Sequence, residues 1–325
     1  MFRRRDVLLG GLGLTGALAA ERAAGASTEA PGLGRTPRAD RLAWCSSSLT
    51  QLRDKELRVR GPSGSSRVIA LEAAYGLTGL PDGSALALVR RDGKNVALRV
   101  AAGQGDQVHP VWVVSGEDPV GVLPFPGDPG QFWILSPDRR TAIATRLVEK
   151  YGMLDEAARL SLDNGSREDV LALPDGLLFH HLDALRWVDL HGVERRVPWA
   201  PAAPVARLAA GREPGTAWAL GVDGSLNLLD LGSGAVRKSL ALGDTGVALA
   251  AQGDIVVAIT GARPPAGTAR WTLHRLDGAG RESYRREMSG DPPGTLALSP
   301  QYVAAGDAVR RWIWNYDGSA ICRPG

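Results

Sequence analysis

The chain has 325 residues, 38 of them Lys or Arg and 35 Asp or Glu. Removing residues 1–26, which hold Arg3, Arg4, Arg5 and Arg22 against Asp6 and Glu21, leaves 34 basic and 33 acidic residues. A near-neutral body lacks the basic excess of a nucleic-acid binder. No apolar stretch after residue 26 is long enough to span a membrane.

The N-terminus reads RRRDVLLGGLGLTGALAA over residues 3–20. Gly11-Leu12-Gly13-Leu14-Thr15-Gly16 matches the G-x-G-x-x-G spacing of a dinucleotide loop. That loop also needs a second strand, within a βαβ unit of about 30 residues, and an acid about 20 residues on. Here GASTEAPGLGRTPRAD follows instead. Three arginines, a short apolar run and small residues are the layout of an export signal. Ala24-Gly25-Ala26 supplies a cleavage site, with cleavage expected after Ala26. Arg4-Arg5-Asp6-Val7-Leu8 resembles the twin-arginine signal, with Arg3 and Val7 departing from that pattern. The resemblance implies passage through the twin-arginine translocase as a folded protein, to the periplasm or otherwise across the cytoplasmic membrane. Residues 27–40 read as a flexible segment, and residues 41–325 as one folded domain.

Within that domain, short apolar runs recur: LAWCSS from Leu42, SALALV from Ser84, QFWILS from Gln131, GLLFHH from Gly176, TAWALG from Thr216, DIVVAI from Asp254 and QYVAAG from Gln301. They are spaced 38 to 47 residues apart, close to the roughly 40–45 residue period of a four-stranded propeller blade. A turn and another strand follow each run, as in NVALRV, SLNLLDLGSG and ARWTLHRLDGAG. A third strand follows, as in SRVIALEA and RKSLAL. A fourth leads into the next unit, as in GLTGLPDG, DVLALPDG and GTLALSPQ. Alternation of apolar with polar residues and closing Asp-Gly pairs mark half-buried strands and tight hairpins. The 41 glycines and 21 prolines suit so many turns. EKYGMLDEAARLSL at 149–162 is the best helix signal, and reads equally as a strand and a loop. This phrasing resembles β-propellers of the WD-repeat and YVTN type. It implies an all-β propeller of four-stranded blades, seven by count, with six or eight as alternatives. Trp44, Trp133, Trp187, Trp218, Trp271, Trp312 and Trp314 fall in the repeating strands and are expected to pack between blades.

No G-x-S-x-G elbow or H-E-x-x-H motif is present. His180, His181 and Asp183 form the only local metal-type cluster. Neighbouring residues on a strand point to opposite faces, so the pair chelates only if the backbone turns between them. Quinone-binding propellers carry repeated tryptophans on their outer strands, and the matching segment 230–236 has none. The expectation is therefore no cofactor, with a metal or quinone in the axial channel as the rival. The second-to-third-strand turns carry Arg53, Arg90, Arg91, Arg139, Arg140 and Arg263. Acidic blade-to-blade turns, including Glu117, Asp118, Asp244 and Asp291, share their face. Arg90, Arg91, Arg139 and Arg140 are the candidate docking residues. The expected function is non-enzymatic: binding or scaffolding another exported protein, with a cofactor-containing enzyme as one kind of partner. A channel enzyme and a small-ligand binder are the alternatives. Cys45 and Cys322 lie in the first and last repeats, which a closed ring brings side by side. A disulfide between them would latch the ring.

Overall fold

The computed structural model describes residues 41–322 except 46–47, 54, 62–65, 101–107, 115–118, 120, 139–140, 151–152, 164–169, 182–183, 263–267, 307–310 and 317–318. The expected export signal, with Arg4, Arg5 and Ala26, and the segment 27–40 therefore lie outside the described residues.

Seven four-stranded antiparallel sheets follow one another along the chain, each pairing its strands in sequence order. They span residues 41–70, 73–114, 121–163, 170–196, 205–241, 245–289 and 295–322. The first strand of each sheet packs against the first strands of its two neighbours. The ring closes where Arg41–Cys45 meets Thr295–Leu298. The molecule is a seven-bladed β-propeller, with the first strands around the axis and the fourth strands on the rim.

The amino-acid pattern follows radial position. Second strands have neighbouring blades over both faces, so their apolar runs are continuous. Thr216–Gly221 is buried at every position, and Ala85–Arg91 is buried through Val89. Outer strands have one wet face and alternate, as Glu282–Ser289 does. Trp133, Trp218 and Trp271 are fully buried between blades, and Trp44 and Trp314 nearly so. Trp187 and Trp312 are half-buried and pack against the same interblade cores. No helix occurs among the described residues. The stretch 149–162 falls instead in the hairpin Thr141–Lys150 and Met153–Asp163, where Glu149 pairs with Leu154 and Ala142 with Leu162.

The blade phase differs from the repeat read in the sequence. The strand expected to end each unit is the innermost strand of the next blade. SALALV and the runs after it are second strands, whereas LAWC is the inner strand of blade one. The true second strand there is Ser48–Arg53, SLTQLR. Buried Thr50 and Gln51 interrupt its apolar pattern and hide it from a periodicity search.

Consecutive pairing has a mechanical consequence. No described strand from one end of the chain completes a blade at the other, so side-chain packing closes the ring. Trp44 Nε1–H donates to the Ala297 carbonyl across the joint at 3.2 Å. The Trp44 and Tyr302 rings lie 5.5 Å apart. Leu42, Leu49, Ala304 and Ile313 complete the closing cluster. At the preceding joint Trp271 meets the Trp312 ring edge-on at 5.2 Å.

Candidate docking face and axial channel

An up-and-down meander puts second-to-third turns and blade-to-blade links on one face, and the other two turn sets on the opposite face. Arg90 and Arg91 end the second strand of blade two and enter the turn Arg91-Asp92-Gly93-Lys94. Asp92 and Gly93 have φ values of 50° and 70°. Two successive left-handed residues make the tight turn whose twist suits a β-hairpin. Arg90 Nε lies 3.7 Å from Glu72 Oε2, and Arg91 Nε 3.6 Å from Asp92 Oδ2. Glu72 also accepts the Gly93 N–H at 3.0 Å, which fixes the carboxylate against the turn. In blade one Arg53 and Arg58 share Glu56 Oε1, at 3.3 and 2.9 Å. Lys55 and Lys94 are exposed beside them. The Arg90 and Arg91 side chains are 42% and 49% exposed. Pairs this wet contribute at most about 1 kcal/mol each. Arg139, Arg140 and Arg263 lie outside the described residues, between strands that end and restart on the same face.

The opposite face uses its acids differently. Asp82 accepts the Ser84 N–H and hydroxyl at 2.9 and 2.6 Å. Asp189 accepts the backbone N–H of His191 and of Val193, each at 2.9 Å. Asp230 accepts the Ser233 N–H at 2.9 Å, and Asp277 the Arg281 N–H at 2.8 Å. These are side-chain caps on hairpin turns. The Val193 N–H holds Asp189 below the usual carboxylate range. The Ser233 N–H, then Arg237, does so for Asp230, and the Arg281 N–H for Asp277. At Asp82 burial pushes upward, but Ser84 and Arg99 outweigh it.

A channel of about 1320 Å³ follows the axis, lined by first strands from every blade. Thr78, Leu171, Ala250 and Leu296 typify its wall, and among the described residues Asp82 and Arg207 are the ionisable side chains on it. Asp82 is already committed to Ser84 and Arg99. Among the described residues no group of three or more His, Cys, Asp or Glu is placed to hold a metal ion. His180 and His181 both lie within the strand Gly176–His181, facing Leu185 and Ala184 across the ladder. The backbone is extended through both residues, without the turn between them that a chelating pair needs. Asp183 lies outside the described residues. Cys45 ends the innermost strand of blade one and Cys322 lies on the outermost strand of blade seven. Their side chains lie outside the described residues.

One constellation was not legible in the sequence. His274 is 1% exposed and bonded at both ring nitrogens: Nε2 lies 3.1 Å from Thr260 Oγ1, and Nδ1 2.7 Å from Glu282 Oε1. Three strands of blade six supply the three residues. No local spacing marks such a group, and only the sheet register unites it.

No protein-family model matches the chain, and no curated protein matches it. Solved structures do. That of Saccharomyces cerevisiae Sqt1 aligns over 89% of this chain and 86% of its own, with a TM-score of 0.56 and 12% identity. At that identity the likeness is one of fold. Among the described residues no helix is long and apolar enough to cross a membrane.

Proposed function

We propose that this chain is an exported, non-enzymatic propeller that binds or scaffolds another exported protein. The observation that carries the reading is the turn face of blades one and two, where Arg53, Lys55, Arg90, Arg91 and Lys94 project from tight hairpins on a rigid ring. Arg139 and Arg140 extend this set by sequence into blade three. Binding residues held on loops by a rigid scaffold are the common arrangement in protein recognition. The partner's matching surface is acidic, because arginine forks bind carboxylates bidentately. Arg4 and Arg5 direct export through the twin-arginine translocase, cleavage follows Ala26, and the folded protein works in the periplasm without a resident cofactor.

The test is co-purification from the exported fraction. Reversing Arg90, Arg91, Arg139 and Arg140 together to Glu is expected to weaken the complex, and the deficit should shrink at high salt. Exposed charges are screened beyond about 8–10 Å. A complex lost equally at every salt concentration refutes the charged face and points to an apolar contact.

The axial channel favours a second reading, a small-ligand binder. Its volume of about 1320 Å³ exceeds the roughly 300–1,000 Å³ of ordinary ligand pockets. Metal analysis and an absorption spectrum of natively exported protein separate the readings. A stoichiometric metal or a quinone band overturns the scaffold proposal and favours a channel enzyme.

A further inference from the structure

The buried histidine of blade six has no part in the docking face. Glu282, as a carboxylate, can only accept a hydrogen bond. Its 2.7 Å contact therefore fixes the proton of neutral His274 on Nδ1. Nε2 is then an acceptor, and the Thr260 hydroxyl must donate to it across 3.1 Å. His274 shares its face of the strand with Leu276, which packs with Trp218, Leu220 and Leu226 of blade five. The relay therefore lies in the joint between blades five and six. We infer that Thr260, His274 and Glu282 form a proton-responsive lock on that joint.

Proton uptake breaks the pattern at one atom. Once Nε2 carries hydrogen, the Thr260 hydroxyl must turn round to accept it. The hydroxyl proton then needs a new acceptor in a site with no solvent exposure at Thr260. A full charge also enters the joint. Among the described residues the charged groups that act on it are Glu282 and Arg285 on the outer strand and Asp244 on the link from blade five, with Glu287 paired to Arg285. Lys238 of blade five is committed to the Ala279 carbonyl. Glu282 is the direct counter-charge, but its side chain is 39% exposed, so water weakens its pull. Arg285 repels. Burial is the largest influence and pushes His274 below its ordinary value of 6.5, with Glu282 opposing.

The sign follows from linkage. Below 6.5 the unfolded or opened chain takes up a proton that the closed joint refuses. The lock is intact above 6.5 and weakens as pH falls toward the depressed folded value. Within that window the ratio of opened to closed joint rises by up to about tenfold per pH unit.

Two measurements on the full exported chain test this. Imidazole nitrogen NMR is expected to show the Nδ1–H tautomer at pH 7.5 and a titration midpoint below 6.5. Hydrogen exchange, corrected for intrinsic rate, is expected to accelerate between pH 7 and 5 in Ile255–Ala262 and Arg270–Asp277 ahead of the other blades. His274→Gln should lose that pH response. Glu282→Gln keeps an acceptor but removes the counter-charge, and should enlarge the response. A midpoint at or above 6.5, an Nε2–H tautomer, or an unchanged pH response in His274→Gln overturns the inference. If His274→Gln does not fold, the NMR titration of the unsubstituted protein decides the question.

Discussion

Ring closure offers the sharpest test of how this fold is held together. Trp44→Ala removes a side chain only 9% exposed from the joint between the first and last blades. A buried aromatic of this size covers roughly 150–250 Å², which at about 25 cal/mol/Å² is roughly 4–6 kcal/mol of burial. Partial collapse of the site lowers the net cost, and measured Trp→Ala changes in cores run about 3–5 kcal/mol. Part of that is the 3.2 Å hydrogen bond to the Ala297 carbonyl, about 1 kcal/mol net. Trp44→Phe keeps a ring against Tyr302 but removes the N–H donor, and should recover much of the loss. Urea unfolding gives the magnitudes, and hydrogen exchange gives their location. Protection should fall first in Arg41–Cys45, Ser48–Arg53, Thr295–Leu298 and Tyr302–Gly306, because the other six joints are also tied by a chain link from one blade to the next. Trp218→Ala, at the joint between blades five and six, is the control with comparable burial. A cost below about 1 kcal/mol for Trp44→Ala, far under the usual core range, would refute the closing role. So would a loss of protection spread evenly round the ring.

Four further outcomes are expected. Arg4→Lys with Arg5→Lys should leave folded protein in the cytoplasm, and undiminished export on cell fractionation contradicts the twin-arginine reading. The depressed carboxyls of Asp82, Asp189, Asp223, Asp230 and Asp277, ordinarily at 3.8, contribute stability that is complete above 3.8 and lost as pH falls through their lower folded values. Thermal unfolding between pH 5 and 2 should show that decline, smaller in Asp230→Asn, and a flat profile denies the capping role. Gly224→Ala should destabilise by about 1–3 kcal/mol, because φ there is +75° and a Cβ would meet the Asp244 carbonyl oxygen at 2.2 Å; a neutral result in urea unfolding contradicts that contact. Cys45 and Cys322 should be recovered as two alkylated thiols on unreduced mass spectrometry. Three ladder steps of about 4.8 Å each separate the Cys322 strand from the strand facing Cys45, beyond the roughly 7 Å Cα limit for a bridge. A disulfide-linked peptide pair would refute that strand geometry.

The sequence carried the blade count because second strands, covered on both faces, need a continuous apolar run, and six of the seven have one. It missed the second strand of blade one, where Thr50 and Gln51 are buried but look like surface residues in a pattern. Arg90 and Arg91 were placed on the correct turn because Asp92-Gly93 is a hairpin signal that acts over four residues. The partner of Arg90 was not legible: Glu72 lies in the link between blades one and two and reaches the turn only through the sheet register. The same limit explains His274. Thr260 is 14 residues before it and Glu282 eight residues after it, separations that mean nothing until three strands are paired. Local chemistry therefore fixes where this chain turns, while pairing across strands fixes which charges meet. A turn arginine and a buried histidine look alike as isolated letters, but they differ in what the sheet sets beside them: water and an exposed acid for Arg90, an enclosed hydroxyl and a half-wet carboxylate for His274. On the readings proposed above, that difference would make the turn face responsive to salt and the interblade joint responsive to protons.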